Sequence, residues 1–171
     1  MKYVKVTGPD LCNGEGNRCT LWISGCTHAC PNCHNEWLQN YEKGKDISFA
    51  KEEIYKLLSL PYIQGLTLSG GDPLDQSKES LLQLLEFLKQ VKADFPEKDI
   101  WVYTGFTLEG LKEKKSDTIN EILSIIDYIV DGLFVESLKG IDLAFRGSSN
   151  QNILHNEKGK YVVVDDKIFK N

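Results

Sequence analysis

The sequence predicts a single α/β domain over residues 1–171, with a curved, mostly parallel sheet flanked by helices in a partial, TIM-like barrel. Three observations lead there. Strand-like and helix-like segments alternate along the chain, an order that favours parallel pairing through right-handed crossovers. The strand candidates are apolar enough to need cover. A closed ring of eight βα units takes about 250 residues, so this chain has room for roughly five or six strands.

Residues 2–6 alternate loosely as a short strand, and GPDLCNGEGN, rich in turn formers, reads as a loop. Arg18 to Ser24 has the branched and aromatic content of a strand, ended by Gly25. Ser48 is placed to cap a helix with Ile54, Leu57 and Leu58 on one face, and Pro61 ends it. GLTLSGG is a short buried strand stopped by two glycines. Asp75 or Ser77 caps the next helix, whose Leu81, Leu84, Leu85, Leu88 and Val91 recur at helical spacing. DIWVYTG is again a strand. Short helices follow around Leu108 and Leu111, then around Ile119, Leu123 and Ile126. DYIVDGLFV is strand-like, and YVVVDD is a last strand with no assigned place in the sheet. Three strands thus run into the polar or Gly-rich segments CTHACPNC, SGGDP and YTGF. In parallel α/β folds such C-terminal ends converge on one ligand-binding mouth.

Composition narrows the function. Twenty basic residues against twenty-five acidic ones give a net charge of -5. No stretch gathers a phosphate-tracking face, so nucleic acid is a poor partner. No run reaches the length of a membrane span, and MKYVKVTGPD lacks the features of a secretory signal. A cytoplasmic location is expected. Five cysteines in such a chain argue against a disulfide scaffold. Cys19, in CTLWI, reads as a small buried thiol. Cys12, in a Gly/Asn-rich loop, reads as a spare thiol or a neighbour of the metal site.

Cys26, Cys30 and Cys33 form CxxxCxxC, three thiolates on a segment short enough to wrap one face of a metal centre. Thiolates select zinc, copper(I) or iron–sulfur clusters. A structural [4Fe–4S] cluster takes four cysteines. Three leave one iron open, and an open iron can be chelated by the amino and carboxylate groups of an amino acid. Zinc, with His28 or His34 as fourth ligand, is the competing reading; such sites usually draw on two separated ligand pairs, and no second pair stands here.

With the later SGGDP, the triplet resembles the radical S-adenosylmethionine superfamily. More narrowly, NGEGNRCTLWISGCTHACPNCHN, LSGGDPL, WVYTGF, VDGLFV and FRGSSNQ are similar, in order and separation, to the activating proteins of anaerobic class III ribonucleoside-triphosphate reductases. The resemblance implies one [4Fe–4S] cluster on Cys26, Cys30 and Cys33, and S-adenosylmethionine as cofactor. It implies that Gly70, Gly71, Asp72 and Pro73 receive the cofactor's methionyl ammonium. Adenine contacts fall to Asn32, Cys33 and His34, where many superfamily members have an aromatic residue in place of Asn32. Thr104 and Gly105 are candidates for the ribose or methionine part. Asp131 is a candidate for the cofactor or a small cation, although Leu133 stands where a balancing basic residue would help. Arg146 is a candidate for a cofactor or partner contact. Implied partners are the large reductase subunit as protein substrate, an external one-electron donor such as flavodoxin, and a second copy of the chain in a homodimer. Rival functions are activation of a different glycyl-radical protein, another small radical enzyme, and a non-enzymatic zinc-binding interaction module.

Overall fold

A computed structural model describes residues 1–169. Strand β1 (Lys2–Asp10) and β2 (Arg18–Ile23) form an antiparallel pair, and the two-residue β3 (Lys45–Asp46) joins the outer edge of β1. Strands β4 (Gly65–Gly70), β5 (Asp99–Tyr103) and β6 (Tyr128–Asp131) add to β2 in parallel. Strands β7 (Asn152–Glu157) and β8 (Lys160–Val163) continue the sheet in antiparallel fashion. The single eight-stranded sheet runs β3-β1-β2-β4-β5-β6-β7-β8.

The expected parallel character therefore holds only for the four central strands; both flanks are antiparallel. Crossover helices enforce parallel pairing. The seven-residue reach from Leu11 to Asn17, and the two-residue turn after Glu157, are too short for a crossover and return the chain as hairpins. The strand count also exceeds the five or six expected. Strand β7 escaped notice because NILHNE carries only two buried apolar side chains, Ile153 and Leu154. Strand β1 extends through Gly8, Pro9 and Asp10, where turn formers suggested a loop. Asp10 pairs with Arg18, and its carboxylate accepts bonds from the Cys12 amide, Asn13 Nδ2 and Thr20 Oγ1.

Helices α1 (Lys51–Leu58), α2 (Lys78–Asp94), α3 (Leu108–Glu113) and α4 (Asp117–Ile125) bury the predicted apolar positions except Leu57, which is half-buried, and Ile126, which is buried just past the end of α4. Ser77 caps α2 by accepting from the Ser80 amide. Ser48 is not a cap: Asp46 accepts from the Ser48 amide and starts a 3-10 turn ahead of α1.

Strand periodicity separates the two faces of the sheet. In register, Cys19, Leu21 and Ile23 line up with Leu66, Leu68, Ile100, Val102 and Ile129, and this face packs under all four helices. The opposite face presents Arg18, Thr20, Thr67, Ser69, Trp101 and Tyr103. Arg18 is fully buried there. Its guanidinium donates to Thr67 Oγ1 at 2.6 Å, to the Glu15 and Leu66 carbonyls at 3.0 Å, and to Asp99 Oδ1 at 2.5 Å. Removing one partner of a buried, bonded charge strands the rest. Arg18→Met is expected to cost roughly 3 kcal/mol, discounted from the fully buried case because Asp99 keeps some solvent contact. Urea denaturation would read this as a lower midpoint at unchanged slope.

Candidate functional site

The parallel order brings the C-terminal ends of β2, β4 and β5 to one edge, and backbone bonds join the first two. Gly71 donates to the Ile23 carbonyl at 2.7 Å and Asp72 to the Gly25 carbonyl at 2.8 Å. A Cβ on Gly71 would meet the Gly25 carbonyl oxygen at 2.4 Å, so only glycine permits this approach.

The cysteine loop is closed at its neck by Gly25 donating to Leu38 and Cys26 donating to Gln39. Ala29 and Asn32 take left-handed backbone angles, φ 48° and 56°, which turn the chain sharply between successive cysteines. Cys26, Cys30 and Cys33 are all half-buried. The Asn35 amide donates to Cys33 Sγ at 3.4 Å, the kind of bond that stabilises a metal-bound thiolate. Burial pushes the Cys26 thiol up to about 11, so its thiolate form calls for a cation beside it.

The spacing of the sulfurs speaks to the choice of metal. Zinc–sulfur bonds of about 2.3 Å in a tetrahedron hold sulfurs about 3.8 Å apart. Among the described residues, the trio of possible ligand atoms lying within 4.8 Å of one another is Cys26, His28 and Asp75, not the three cysteines. That trio is already engaged. His28 Nε2 bonds Asp72 Oδ2 at 2.7 Å, and Asp75 Oδ2 accepts from the Thr27 amide and hydroxyl at 2.6 Å and from Tyr41 Oη at 3.1 Å. Three thiolates on a wider triangle, each half-exposed, suit a cube of iron and sulfide better than one zinc ion.

Asp72 is the hub. It is 1% exposed. Its Oδ1 accepts from the Leu74 amide at 2.8 Å; its Oδ2 accepts from Thr104 Oγ1 and the Gly105 amide at 2.9 Å, and faces His28 Nε2. The bond to Asp72 raises the His28 pKa above its ordinary value. A Cβ on Gly105 would sit 2.4 Å from His28 Cδ2, so this glycine leaves room for the ring. One carboxylate thus ties together SGGDP, YTGF and the cysteine loop.

Five of the predicted site residues line one or other of two cavities, while Cys26, Cys30, Asn32, Asp72 and Thr104 line neither. One of about 410 Å³ is lined by Cys33 and His34 from the cysteine loop, Ser69 and Tyr103 from the strands, Cys12 and Asn13 from the β1–β2 turn, and Phe134 and Arg146. The other, of about 460 Å³, is lined by His28, Gly105 and Asp131. Gly70, Gly71 and Pro73 form the turn between strand and helix and line neither. Asn32 Nδ2 donates to Glu136. Arg146 Nη1 donates to the Gln151 carbonyl at 2.7 Å. Asp131 accepts from the Leu108 amide and from Asn152 through its amide and Nδ2. Three donors occupy this carboxylate, which clasps β6 to its neighbours and is poorly disposed to a small cation. Thr104 spends its hydroxyl on Asp72.

Sequence reasoning passed over Ser69, Tyr103, Asn13 and Phe134. Ser69 carried a signal: Thr67 and Ser69 are polar at alternate positions of an otherwise apolar strand, which marks an inward polar face. Phe134 packs its ring against His34 at 5.2 Å between centroids, a contact between distant loops. Cys19 is fully buried, and burial pushes its thiol up to about 12, consistent with an inert structural role.

Comparison with known proteins places this geometry. A family described as "4Fe-4S single cluster domain" matches residues 12–154. The chain is 45% identical over 157 residues to an anaerobic ribonucleoside-triphosphate reductase-activating protein of Pasteurella multocida, covering 90% of this chain and 96% of that one. It is 39% identical over 158 residues to the protein of that name from Escherichia coli K12, covering 91% and 99%. It is also 39% identical over 161 residues to the one from Enterobacteria phage T4, covering 93% and 97%.

Proposed function

This chain belongs to the 4Fe-4S single cluster domain family and, within it, to the anaerobic ribonucleoside-triphosphate reductase-activating proteins, and from that membership we propose how its residues do the work. The chain holds one [4Fe–4S] cluster and activates the reductase. When bound, the cluster would supply the electron for reductive cleavage of S-adenosylmethionine, the chemistry by which a glycyl radical would be set on the large reductase subunit.

Cys26, Cys30 and Cys33 would hold three irons, leaving the fourth to the cofactor's amino and carboxylate groups. Fixed attachment replaces a chance encounter by a set orientation. Gly70 and Gly71 let the SGGDP turn pack against the β2 backbone, where a Cβ would meet the Ile23 and Gly25 carbonyl oxygens at 2.5 and 2.4 Å, and so bring it beside the cysteine loop. Asp72 acts by position, since its own oxygens are occupied by protein donors. Asn32, Cys33 and His34 offer backbone groups to the adenine, with the Phe134 ring beside His34. Arg146 contributes a positive charge to the 410 Å³ cavity wall. The joining of three strand ends through Asp72 carries this assignment, because it places the cysteine loop and SGGDP at fixed separation.

The curvature of a partial barrel is part of the same proposal. Strands β2, β4, β5 and β6 follow one another without reversal, and all four helices lie on one face; a barrel wall winds in that way, whereas a doubly wound sheet reverses. A single domain, a cytoplasmic location, a flavodoxin-like electron donor and a homodimer complete the reading on resemblance. No helix among the described residues is long and apolar enough to cross a membrane.

The test is anaerobic. The reconstituted protein, reductant, S-adenosylmethionine and reductase are mixed. The expected result is a glycyl-radical doublet in electron paramagnetic resonance together with released 5′-deoxyadenosine. Release of 5′-deoxyadenosine with no protein radical would point instead to a small-molecule substrate.

A further inference from the structure

We propose that Lys5, Trp37 and Lys43 form the docking surface for an acidic one-electron carrier protein that reduces the cluster; this rests on the cluster assignment above. The proposed cleavage consumes an electron each time, and that electron has to enter from outside the chain. Trp37 is 44% exposed, a large apolar ring left in water. It lines neither the 410 Å³ nor the 460 Å³ cavity, and nor do the two lysines. A donor seated here therefore leaves both cavities open to cofactor and reductase.

The surface is built onto the back of the cysteine loop. The 3-10 turn Glu36–Leu38 carries Trp37 and is bonded to the loop at both ends. The Glu36 amide donates to the Cys33 carbonyl at 3.3 Å. The Gly25 amide donates to the Leu38 carbonyl at 2.8 Å, and the Cys26 amide to the Gln39 carbonyl at 3.1 Å. Two ammonium groups stand over the Trp37 ring, Lys43 Nζ at 4.6 Å from its centroid and Lys5 Nζ at 5.8 Å. Lys43 Nζ also donates to the Trp37 carbonyl at 3.0 Å. Lys5 covers its register partner Trp22 at 4.8 Å, and Trp22 is fixed by donating from Nε1 to Thr7 Oγ1 at 2.8 Å. Cation–π contacts of this kind hold two long side chains in place before a partner arrives, which lowers the entropy lost on docking.

Charge and ring together select the partner. The chain carries a net charge of -5, so a carrier with an acidic surface is repelled by the molecule as a whole. Attraction has to be local. Neither Lys5 nor Lys43 forms an ion pair among the described residues. Of the carboxylates in the same stretch, Glu42 is bonded to Lys2 at 2.5 Å, and Glu36 is the acidic residue on the turn itself. Tryptophan is enriched at the centre of protein interfaces, where its ring is desolvated. An exposed ring flanked by two cations fits a protein that brings carboxylates around an apolar centre, more than it fits a free small anion. In the step itself one electron passes from the reduced carrier to the cluster. The carrier leaves oxidised by one electron, and no bond forms or breaks on the lysines or the tryptophan.

The test uses the full chain reconstituted anaerobically with iron and sulfide, each protein checked for four irons per chain. Wild type is compared with Lys5→Glu/Lys43→Glu and with the milder Lys5→Gln/Lys43→Gln. Bleaching of the cluster's visible absorbance is followed in stopped flow, with reduced flavodoxin as the acidic carrier and reduced methyl viologen, a small cation, as the control. At low salt the charge-reversed protein is expected to be reduced by flavodoxin roughly tenfold more slowly than wild type, with the glutamine pair between them. The difference should close at about 0.5 M salt, where screening confines each charge to a few ångströms. Viologen should reduce the variants at least as fast as wild type. Carbodiimide coupling of wild type to flavodoxin, read by peptide mass spectrometry, is expected to join Lys5 or Lys43 to carboxylates of the carrier. Equal flavodoxin rates at low salt, equal slowing with viologen, or cross-links confined to other lysines would overturn the proposal without touching the three-cysteine site. A wild-type chain that never holds four irons would instead overturn the cluster assignment, and this proposal with it.

Discussion

Replacing Cys26, Cys30 or Cys33 singly with alanine is expected to abolish the four-iron centre and, with it, formation of 5′-deoxyadenosine. Losing an outer partner of a metal ligand typically costs 10–100-fold; loss of the ligand itself should exceed that range and bring turnover to background. The three substitutions should leave the apoprotein folded, because the cysteine loop lies outside the helix-covered core. Cys19→Ala supplies the contrast. Its sulfur is buried among Leu21, Leu66 and their neighbours, so it should lose on the order of 1 kcal/mol of stability and keep the cluster. Iron and sulfide analysis beside circular dichroism separates the two behaviours. Full iron occupancy in the Cys26→Ala protein would remove that residue from the ligand set.

The second large effect is expected at Asp72. Asp72→Ala would leave the Leu74 and Gly105 amides, the Thr104 hydroxyl and the His28 ring without their shared acceptor. Unmade bonds at buried donors are expensive, and this carboxylate holds several at once, so a loss of about 3–5 kcal/mol is expected. For a chain of this size that is a fall of roughly 6–20 °C in Tm. Asp72→Asn keeps the shape but turns an amide donor toward other donors, so it should recover little. Because His28 lies between Cys26 and Cys30, the loop should also loosen, and iron occupancy after reconstitution should fall with stability. A Tm within 2 °C of wild type would show that the hub carries no structural weight.

Part of this was legible in the residues. SGGDP and the alternation of strand and helix placed three strand ends correctly, because period-2 and period-3.6 burial are local properties. Ser77 as a helix cap was legible for the same reason. Ser48 misled because a competing side chain, Asp46, stood two residues earlier and took its amide. Strands β7 and β3 were invisible because their stability comes from neighbours rather than from their own composition.

The roles of the charged residues were less readable. Asp72 reads in sequence as a receptor for a cofactor cation; what the sequence did not show is that it also anchors the chain. Asp131 likewise clasps β6, α3 and β7. In both cases the distant partners lie 21 to 44 positions away in sequence, and a carboxylate reads the same whether its bonds go to a ligand or to the chain.

The order of residues alone determined that three thiols share one short loop and which strands end beside them, since motif spacing and burial period are written within a few neighbouring positions. Tertiary structure decided that one buried carboxylate binds three strand ends into a single edge, and that Cys12 comes round to the cavity of Cys33. Those arrangements depend on hydrogen bonds and packing between segments far apart in the chain, and such contacts exist only after the sheet has assembled.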